Sequence, residues 1–411
     1  MKFNLNKNVK ILEHKDKFVL ANTINGKWVR ITKEVFNIVK VILDGEYELD
    51  YIANSFEDND DFLFIKNLIN NLIDMHIIVN DNSNEKLSNK IISFEVTHRC
   101  NLRCIHCCID ADNNMNEESD LSTSEVKNIL DKFIEWNPES IMISGGEPML
   151  RKDFFELMEY LRKNYGGHII LSTNATLIRK DNVHHLCDLV DQLDISVDGV
   201  DEDTCSIVRG KGIFNLVIEN VRLIKDTGFS TINLSIATAD KNADLEEKFK
   251  KLNEDLGTNP VFRIFEAVGR GKDHKDVFSN LDKNKVYIPK DYLKDDYDKM
   301  PEVCCCSAGK RELFVNYKGE IYPCPSYNKP ECMMGNVRFI DSINHVISNN
   351  KKVEKTLYSL DPKNSSRCSR CAVNLFCWTC PGSIETIESK EAFEYQCNIL
   401  KPLLMKRIWG E

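Results

Sequence analysis

The stretch "THRCNLRCIHCC", Thr97–Cys108, places four cysteines within nine residues. Cys100, Cys104 and Cys107 follow a C-x3-C-x2-C spacing, and Cys108 adjoins the last of them. Three readings compete: a disulfide staple, a zinc site or an iron–sulfur cluster. The opening "MKFNLNKNVKILEHKDKFVL" lacks the apolar run of a signal peptide. No segment approaches the roughly 20 consecutive apolar residues of a spanning helix. A cytoplasmic protein without a membrane partner is expected. Disulfides rarely persist in a reducing cytosol. Clustered cysteines there more often bind metal or do redox chemistry. The net charge of −10 supplies no global basic field, so nucleic acid is not an expected partner.

Three thiolates on one short loop can hold three irons of a 4Fe–4S cube, whose usual form takes four cysteines. A missing fourth ligand leaves one iron open for chemistry. Zinc asks for a fourth Cys or His at tetrahedral reach. His106 and Cys108 are near, but both lie too close to Cys107 in sequence to wrap one small ion comfortably. Spacing alone leaves both metals open. The loop follows the strand-like run "IISFEVT", and the next such run, "SIMIS", ends in Gly145-Gly146-Glu147-Pro148. Two glycines let backbone approach a ligand closely, and Glu147 offers a carboxylate to an ammonium group. An ordinary strand-to-helix turn has the same glycines, so the stretch is informative only beside the cysteines.

The 411 residues suggest two to three domains. From about 91 to 270, strand-like runs ("IISFEVT", "SIMIS", "HIILST", "QLDISV", "TINLSIA", "VFRIFEA") alternate with helical patterns over Ser122–Trp136, Asp153–Tyr165, Lys180–Leu189, Ile213–Thr227 and Ala243–Leu256. Ser122 with Glu125 forms a capping box. Six strands with intervening helices argue a parallel sheet. Curled, it becomes a partial (β/α)6 barrel, with ligands at the carboxyl ends of its strands. Residues 1–80 read as an α+β unit resembling a winged helix. It has strands "VKILEH" and "KFVLAN", an Asn25-Gly26 hairpin signal, and helices over "TKEVFNIVKVIL", "ELDYIANSF" and "DDFLFIKNLINNLIDM". In the last of these, Phe64, Leu68, Leu72 and Met75 are expected to share a face. Residues 81–90 read as a polar linker, 271–300 as a connector, and 301–411 as a cysteine-rich region organised by metal centres.

The residues "CNLRCIHC" and "GGEP" resemble those of radical S-adenosylmethionine (SAM) enzymes. That resemblance implies a 4Fe–4S cluster on Cys100, Cys104 and Cys107, whose open iron chelates the amino and carboxylate groups of SAM. Gly145, Gly146, Glu147 and Pro148 would hold the methionine ammonium. "LSTNA" and "ISVDG" resemble further cofactor-contacting strand ends, which makes Ser172, Asn174 and Ser196 candidate contacts. Arg209 in "VRGKG" resembles an arginine that meets the SAM carboxylate. Position 106, often aromatic in the family, is His106. In such enzymes a reduced cluster cleaves SAM to methionine and a 5′-deoxyadenosyl radical, which takes hydrogen from an unactivated carbon.

Twelve of the sixteen cysteines fall in two groups, leaving Cys108, Cys187, Cys205 and Cys332 as packed or spare thiols. The second group comprises Cys304, Cys305, Cys306, Cys324, Cys368, Cys371, Cys377, Cys380 and Cys397. Its C-x2-C pairs alone are compatible with a zinc ribbon. Beside a radical SAM core they resemble the SPASM domain, which implies two auxiliary 4Fe–4S clusters. By position, Cys368, Cys371, Cys377 and Cys397 would hold the second. Cys324, Cys380 and ligands from Cys304–Cys306 would hold the first. The final C-x2-C departs from the family's C-x3-C, and the triplet is contiguous where the family spaces its ligands. Neighbouring side chains in an extended run point apart. A three-ligand first cluster, with Cys306 from the triplet and an open iron for a substrate thiolate, is therefore expected.

The N-terminal unit resembles the peptide-recognition element of enzymes that modify ribosomally made peptides. A leader peptide would add as a strand in a groove between Lys27–Ile31 and the helix Asp61–Met75. The expected function is a peptide maturase that installs a crosslink, foremost a cysteine thioether, with a precursor peptide and a flavodoxin- or ferredoxin-like electron donor as partners. Carbon–carbon crosslinking is a second possibility. An oxidase resembling anaerobic sulfatase maturases is a third, but that group carries an aspartate where this chain has Pro325. A non-catalytic iron–sulfur electron carrier is the fourth. Asp198, Glu266 and Tyr322 are general-base candidates with no pattern to separate them.

Overall fold

The run "KFVLAN" alternates so that Phe18 and Leu20 face one way and Val19 and Ala21 the other, and all four are buried. A strand apolar on both faces must be covered on both faces. The computed structural model describes residues 3–45, 58–80, 89–112, 120–293, 300–377, 380, 382, 387 and 389–411, and there this run is the centre of a small sheet. Strands β1 (Phe3–Leu5), β2 (Val9–His14), β3 (Lys17–Asn22) and β4 (Trp28–Thr32) open the chain. β2, β3 and β4 form an antiparallel meander. The Asn25-Gly26 turn lies between β3 and β4, with Gly26 at φ 75°.

Helix α1 (Lys33–Asp44), capped by the Thr32 side chain, and α2 (Asn59–Asp74) cover the Phe18/Leu20 face. The buried stripe of α2 is Ile65, Leu68, Ile69 and Leu72. Phe64, expected on that face, is 56% exposed, because the stripe is rotated by one residue. β5 (Ile78–Asn80) pairs with β1, a ladder that no sequence pattern announces. The helix expected over "ELDYIANSF" and most of the linker lie outside the described residues.

Six parallel strands follow in chain order: β6 (Ile91–Glu95), β7 (Ser140–Ser144), β8 (His168–Thr173), β9 (Gln192–Ser196), β10 (Ile232–Thr238) and β11 (Asn259–Ile264). Between them run α3 (Thr123–Trp136), α4 (Phe154–Asn164), α5 (Val183–Leu189), α6 (Glu202–Arg209), α7 (Ile213–Asp226) and α8 (Leu245–Leu256). The Ser122–Glu125 capping box starts α3 as expected. Helix α6 is additional to the sequence expectation. It fits between an Asp201 cap and Gly210 at φ 102°, in a stretch too short and polar to show periodicity. Ile92, Phe94 and Val96 pack against the helices. By alternation Ser93 and Glu95 face the opposite side, the barrel lumen.

Short helices α9 (Lys275–Phe278) and α10 (Lys290–Leu293) lie in the connector. The cysteine-rich region is not a separate sheet. β12 (Glu312–Val315) pairs in parallel with β6, and β13 (Glu320–Tyr322) and β14 (Gly335–Asn336) extend one continuous sheet to nine strands. Helices α11 (Ile343–Asn349) and α12 (Lys351–Leu360) precede the C-terminal α13 (Lys390–Trp409). Among the described residues no helix is long and apolar enough to cross a membrane.

Helix α13 covers the second face of the N-terminal meander. Val19 and Ala21 share a cluster with Leu400, Leu404, Ile408 and Trp409. The Lys17 ammonium donates to the Trp409 carbonyl at 3.0 Å, Arg30 Nη1 to the Ile408 carbonyl at 2.7 Å, and the Trp28 indole to the Pro301 carbonyl at 2.8 Å. The N-terminal unit is thus cemented to the cysteine-rich region. Trp409 is fully buried and donates through its indole to the Ala372 carbonyl. Replacing a large buried aromatic by alanine costs about 3–5 kcal/mol. Trp409→Ala is expected to lower the thermal unfolding midpoint and to make residues 1–80 the first target of limited proteolysis. An unchanged midpoint and cleavage pattern would contradict this packing.

Candidate active site

The GGEP turn and the cysteine loop meet backbone to backbone. Gly146 N–H donates to the Thr97 carbonyl at 2.9 Å, and Glu147 N–H to the Arg99 carbonyl at 2.8 Å. A side chain on Gly145 would begin 2.3 Å from the Thr97 carbonyl oxygen, and one on Gly146 would begin 2.2 Å from that of Arg99. Gly145 also has φ 147°, which L residues rarely adopt. Asp120 accepts from Thr97 Oγ1 and Arg99, so the start of the loop is fixed from the other side as well.

Glu147 is fully buried. Thr173 Oγ1 donates to it at 2.8 Å, the Asn174 amide at 2.8 Å and the Met149 amide at 3.2 Å. Burial raises its carboxyl above the usual range despite those hydrogen bonds. No cation pairs with it within salt-bridge distance among the described residues. A buried carboxylate of this kind fits an incoming ammonium, whose charge favours the ionised form.

Cys100 and Cys104 are buried, and Cys107 is partly so. Burial pushes the Cys100 thiol up to about 11 and also raises Cys104, although Arg209 and Arg270 pull the latter down. Such thiols stay protonated at neutral pH until a metal displaces the proton. The Leu102 amide lies 3.4 Å from Cys100 Sγ, and Arg209 Nη1 lies 3.7 Å from Cys104 Sγ. Both are donors suited to a thiolate. Arg270 binds the carbonyls of Cys104 and Ala111, and Gly269 packs where a side chain would strike the carbonyls of Cys107 and Cys108. Thiols backed by amide and guanidinium donors, beside a glycine cradle, fit the cluster and SAM that the sequence implies.

The sequence-derived contacts divide by environment. Ser172 and Ser196 lie half-buried on β8 and β9. Asn174 directs its side chain at Asn101 and Thr176, so it braces the cysteine loop. Arg209 is buried, and its Nε and Nη2 both donate to Asp198. Asp198 accepts in addition from His106 Nε2 at 2.8 Å and from the Ala237 amide. Burial acts to raise its carboxyl, but His106 and Arg209 outweigh it and hold it well below the usual carboxylate range. Asp198 is therefore an anchor for Arg209 and His106 rather than a base. Tyr322 is buried, bonded to Glu320 and pushed up to about 12, chiefly by burial. Glu266 stands beside a cavity of about 470 Å³ between the end of β11, the connector and α13, where surrounding protein raises its carboxyl.

The fold brings further residues to the cysteine loop that the sequence reading did not single out. Glu95 holds His98 at 2.6 Å, and the His98 ring lies 4.6 Å from that of Tyr317. Burial pulls the imidazole down, but the Glu95 bond prevails and leaves it raised. Arg263, on β11, reaches Ser235 and Ser196. Alternation along "ISFE" and "FRIF" is the sequence signal for Glu95 and Arg263.

The C-terminal thiols form two neighbourhoods. In one, Cys377 is pushed up to about 12, by burial and then by Cys397, Cys371 and Cys368. In the other, burial pushes Cys324 up to about 12, with Glu312, Cys380 and Cys306 adding to it, and Cys306 in turn feels Cys380. Cys305 faces away, with its Sγ 3.9 Å from the Asn22 carbonyl beside the Gly26 turn. The Cys304 thiol feels Cys306, Asp361 and Lys363.

Residues 94–252 match the radical SAM superfamily, and residues 305–372 match SPASM, an iron–sulfur cluster-binding domain. The mycofactocin maturase MftC of Mycolicibacterium smegmatis is 24% identical over 301 residues, covering 68% of this chain and 74% of that protein. The antilisterial bacteriocin subtilosin biosynthesis protein AlbA of Bacillus subtilis is 25% identical over 328 residues, covering 76% and 71%. Crystal structures of Streptococcus suis SuiB share the fold. The SAM-bound form has a TM-score of 0.55 at 15% identity over 94% of this chain and 98% of that one. The form bound to precursor peptide SuiA has 0.54 at 13% over 95% and 98%.

Replacing Gly146 with alanine drives a methyl group into the Arg99 carbonyl, a backbone clash worth about 1–3 kcal/mol or more. Gly146→Ala is expected to lose the iron bound through Cys100, Cys104 and Cys107 while keeping the rest. Iron counting with electron paramagnetic resonance checks this, and an unaltered count would contradict it.

Proposed function

We propose that this chain, a radical SAM enzyme with a SPASM domain, is a maturase that installs a crosslink in a ribosomally made precursor peptide, a cysteine thioether in the first instance. The observation that carries the reading is the trio Cys100, Cys104 and Cys107, held by backbone against the buried Glu147. A bound cluster and SAM together supply the power to take hydrogen from an unactivated carbon. The chain's own residues do the rest. Glu147 receives the cofactor ammonium, Gly145 and Gly146 permit the approach, and Pro148 starts the 3-10 turn whose Met149 amide steadies Glu147. Ser172 and Ser196 offer hydroxyls from the strand ends, and Asp198 fixes Arg209 beside Cys104.

The likeness to mycofactocin maturase MftC and to subtilosin biosynthesis protein AlbA favours a peptide maturase over a sulfatase-directed oxidase or a simple electron carrier. Among the C-terminal thiols, Cys368, Cys371, Cys377 and Cys397 are the proposed ligands of one auxiliary cluster. Cys306, Cys324 and Cys380 are those of the other. Cys305 turns toward the N-terminal unit, while Cys304 stays beside Cys306; a cluster held by Cys306, Cys324 and Cys380 alone would leave a place for a substrate thiolate, in keeping with the thioether reading.

The N-terminal unit receives the leader. β4 ends its three-stranded sheet and so offers an edge to an added strand. The proposed walls meet at one end, where Asn25 Nδ2 donates to the Met75 carbonyl and Lys27 Nζ to that of Asp74.

Anaerobic protein reduced with dithionite in the presence of SAM is expected to release 5′-deoxyadenosine. Cys104→Ala should abolish that release. Coexpression with a short cysteine-bearing peptide encoded beside the gene should give a product two mass units lighter, its crosslink located by tandem mass spectrometry. Absence of 5′-deoxyadenosine would refute the enzyme class, and a carbon–carbon link would refute the thioether. Excess isolated leader segment should inhibit turnover of the full precursor at least about tenfold, as expected for shared edge pairing. No inhibition would refute the role given to β4.

A further inference from the structure

Among the described residues Arg263 forms no ion pair within salt-bridge distance, although Asp198 lies near enough to feel its charge. Arg263 lies next to the last residue of β11, the final barrel strand. Its register partner is Ala237, and Ser235 on the same strand pairs with Ser196. Leu234 and Ile236 pack on the helices, so Ser235, Ala237 and Arg263 share the lumen face. Arg263 Nη2 donates to Ser235 Oγ at 2.7 Å and lies 3.4 Å from Ser196 Oγ. Its Nε and Nη1 have no protein partner among the described residues, and the side chain is exposed to the lumen. The carboxylates around it are already engaged. Asp198 serves Arg209, His106 and the Ala237 amide, and Glu95 serves His98.

Arg209 is the arginine that the family resemblance assigns to the SAM carboxylate, yet it is differently disposed. Two of its nitrogens are bonded to Asp198, the third is aimed at Cys104 Sγ, and it is buried. Among the described residues, Arg263 is a guanidinium on the lumen face whose Nε and Nη1 are not committed to protein. A planar fork with two free N–H directions, steadied by two serine hydroxyls, suits a carboxylate bound through both oxygens.

We propose that Arg263, oriented by Ser235 and Ser196, is the carboxylate-binding residue of the barrel lumen. The inference rests on the radical SAM reading above. The carboxylate is that of the methionine end of SAM or that of an acidic group on the peptide, and one pair of variants separates these sources. Arg263 is exposed to the lumen, so Arg263→Gln and Arg263→Lys should keep the iron content and unfolding midpoint of the parent. Full-length, cluster-loaded protein is used throughout. SAM affinity is read from the titration of the reduced cluster's paramagnetic resonance signal, and peptide KM from turnover.

Loss of a charge-assisted bidentate contact is expected to weaken binding about 10- to 100-fold. If Arg263→Gln weakens SAM by that factor, and Arg263→Lys recovers part of it, SAM is the source. If SAM affinity holds while peptide KM rises by that factor, and replacing the peptide's acidic groups by amides in the parent enzyme has the same effect, the peptide is the source. If SAM affinity and peptide KM are both unchanged in Arg263→Gln, the proposal is overturned. A parent protein that releases no 5′-deoxyadenosine would instead refute the underlying reading.

Discussion

The approach of two backbone segments fixes the site. The carbonyls of Thr97 and Arg99 are held by the amides of Gly146 and Glu147, with no room for a side chain on either glycine. Because β6 and β7 are paired in parallel from Ile91↔Ser140 to Glu95↔Ser144, their loops leave the sheet side by side. The amide bonds continue that pairing past the strand ends. The cysteine loop is thereby delivered over the one fully buried carboxylate of the turn. Widening this contact by a single methyl group separates the thiols from Glu147, and with them the proposed cluster site from the proposed ammonium site.

Electrostatics then sorts the residues that surround the loop. Asp198 stands at φ 54° after β9 and holds Arg209 and His106 together. Breaking the buried Asp198–Arg209 pair leaves the guanidinium without its partner, a loss of about 3–5 kcal/mol. Its carboxyl titrates below the ordinary range, so the stability it lends is present above about pH 4 and is lost only as pH falls through that depressed value. Throughout the neutral range the Asp198–Arg209 pair is constant. It holds Arg209 against Cys104 and leaves Arg263 free on the lumen wall.

Much of this is legible in the chain. Alternation and helical spacing locate five of the six barrel strands within two residues and the last, "VFRIFEA", within three, and the cysteine spacing with GGEP marks the site. What is hidden has physical reasons. α13 carries Pro402 inside it, and its buried row, Ala392, Gln396, Leu400, Leu404 and Ile408, contains a polar residue and is interleaved with apolar Phe393, Ile399 and Leu403, so periodicity alone does not announce it. Its partner surface, Val19 and Ala21 on β3, reads as the ordinary second face of a strand until the helix is seen to cover it. The continuation of the barrel sheet into β12 is a pairing between residues more than 200 positions apart, which no local pattern encodes. The rotated stripe of α2 arises because both Phe64 and Ile65 are apolar, and packing rather than periodicity chooses Ile65. Arg263 stays inconspicuous because a lone arginine in a strand reads as surface until the lumen is closed around it.

The central claim is that Cys100, Cys104 and Cys107 hold a cluster with one iron free for SAM. The most direct measurement is the low-temperature paramagnetic resonance spectrum of the reduced, anaerobically purified protein, recorded with SAM carrying a magnetic isotope at its amino nitrogen. The account predicts hyperfine coupling between that nitrogen and the cluster, absent in Cys100→Ala. A spectrum without such coupling, or zinc in place of iron at these three thiols, would contradict it.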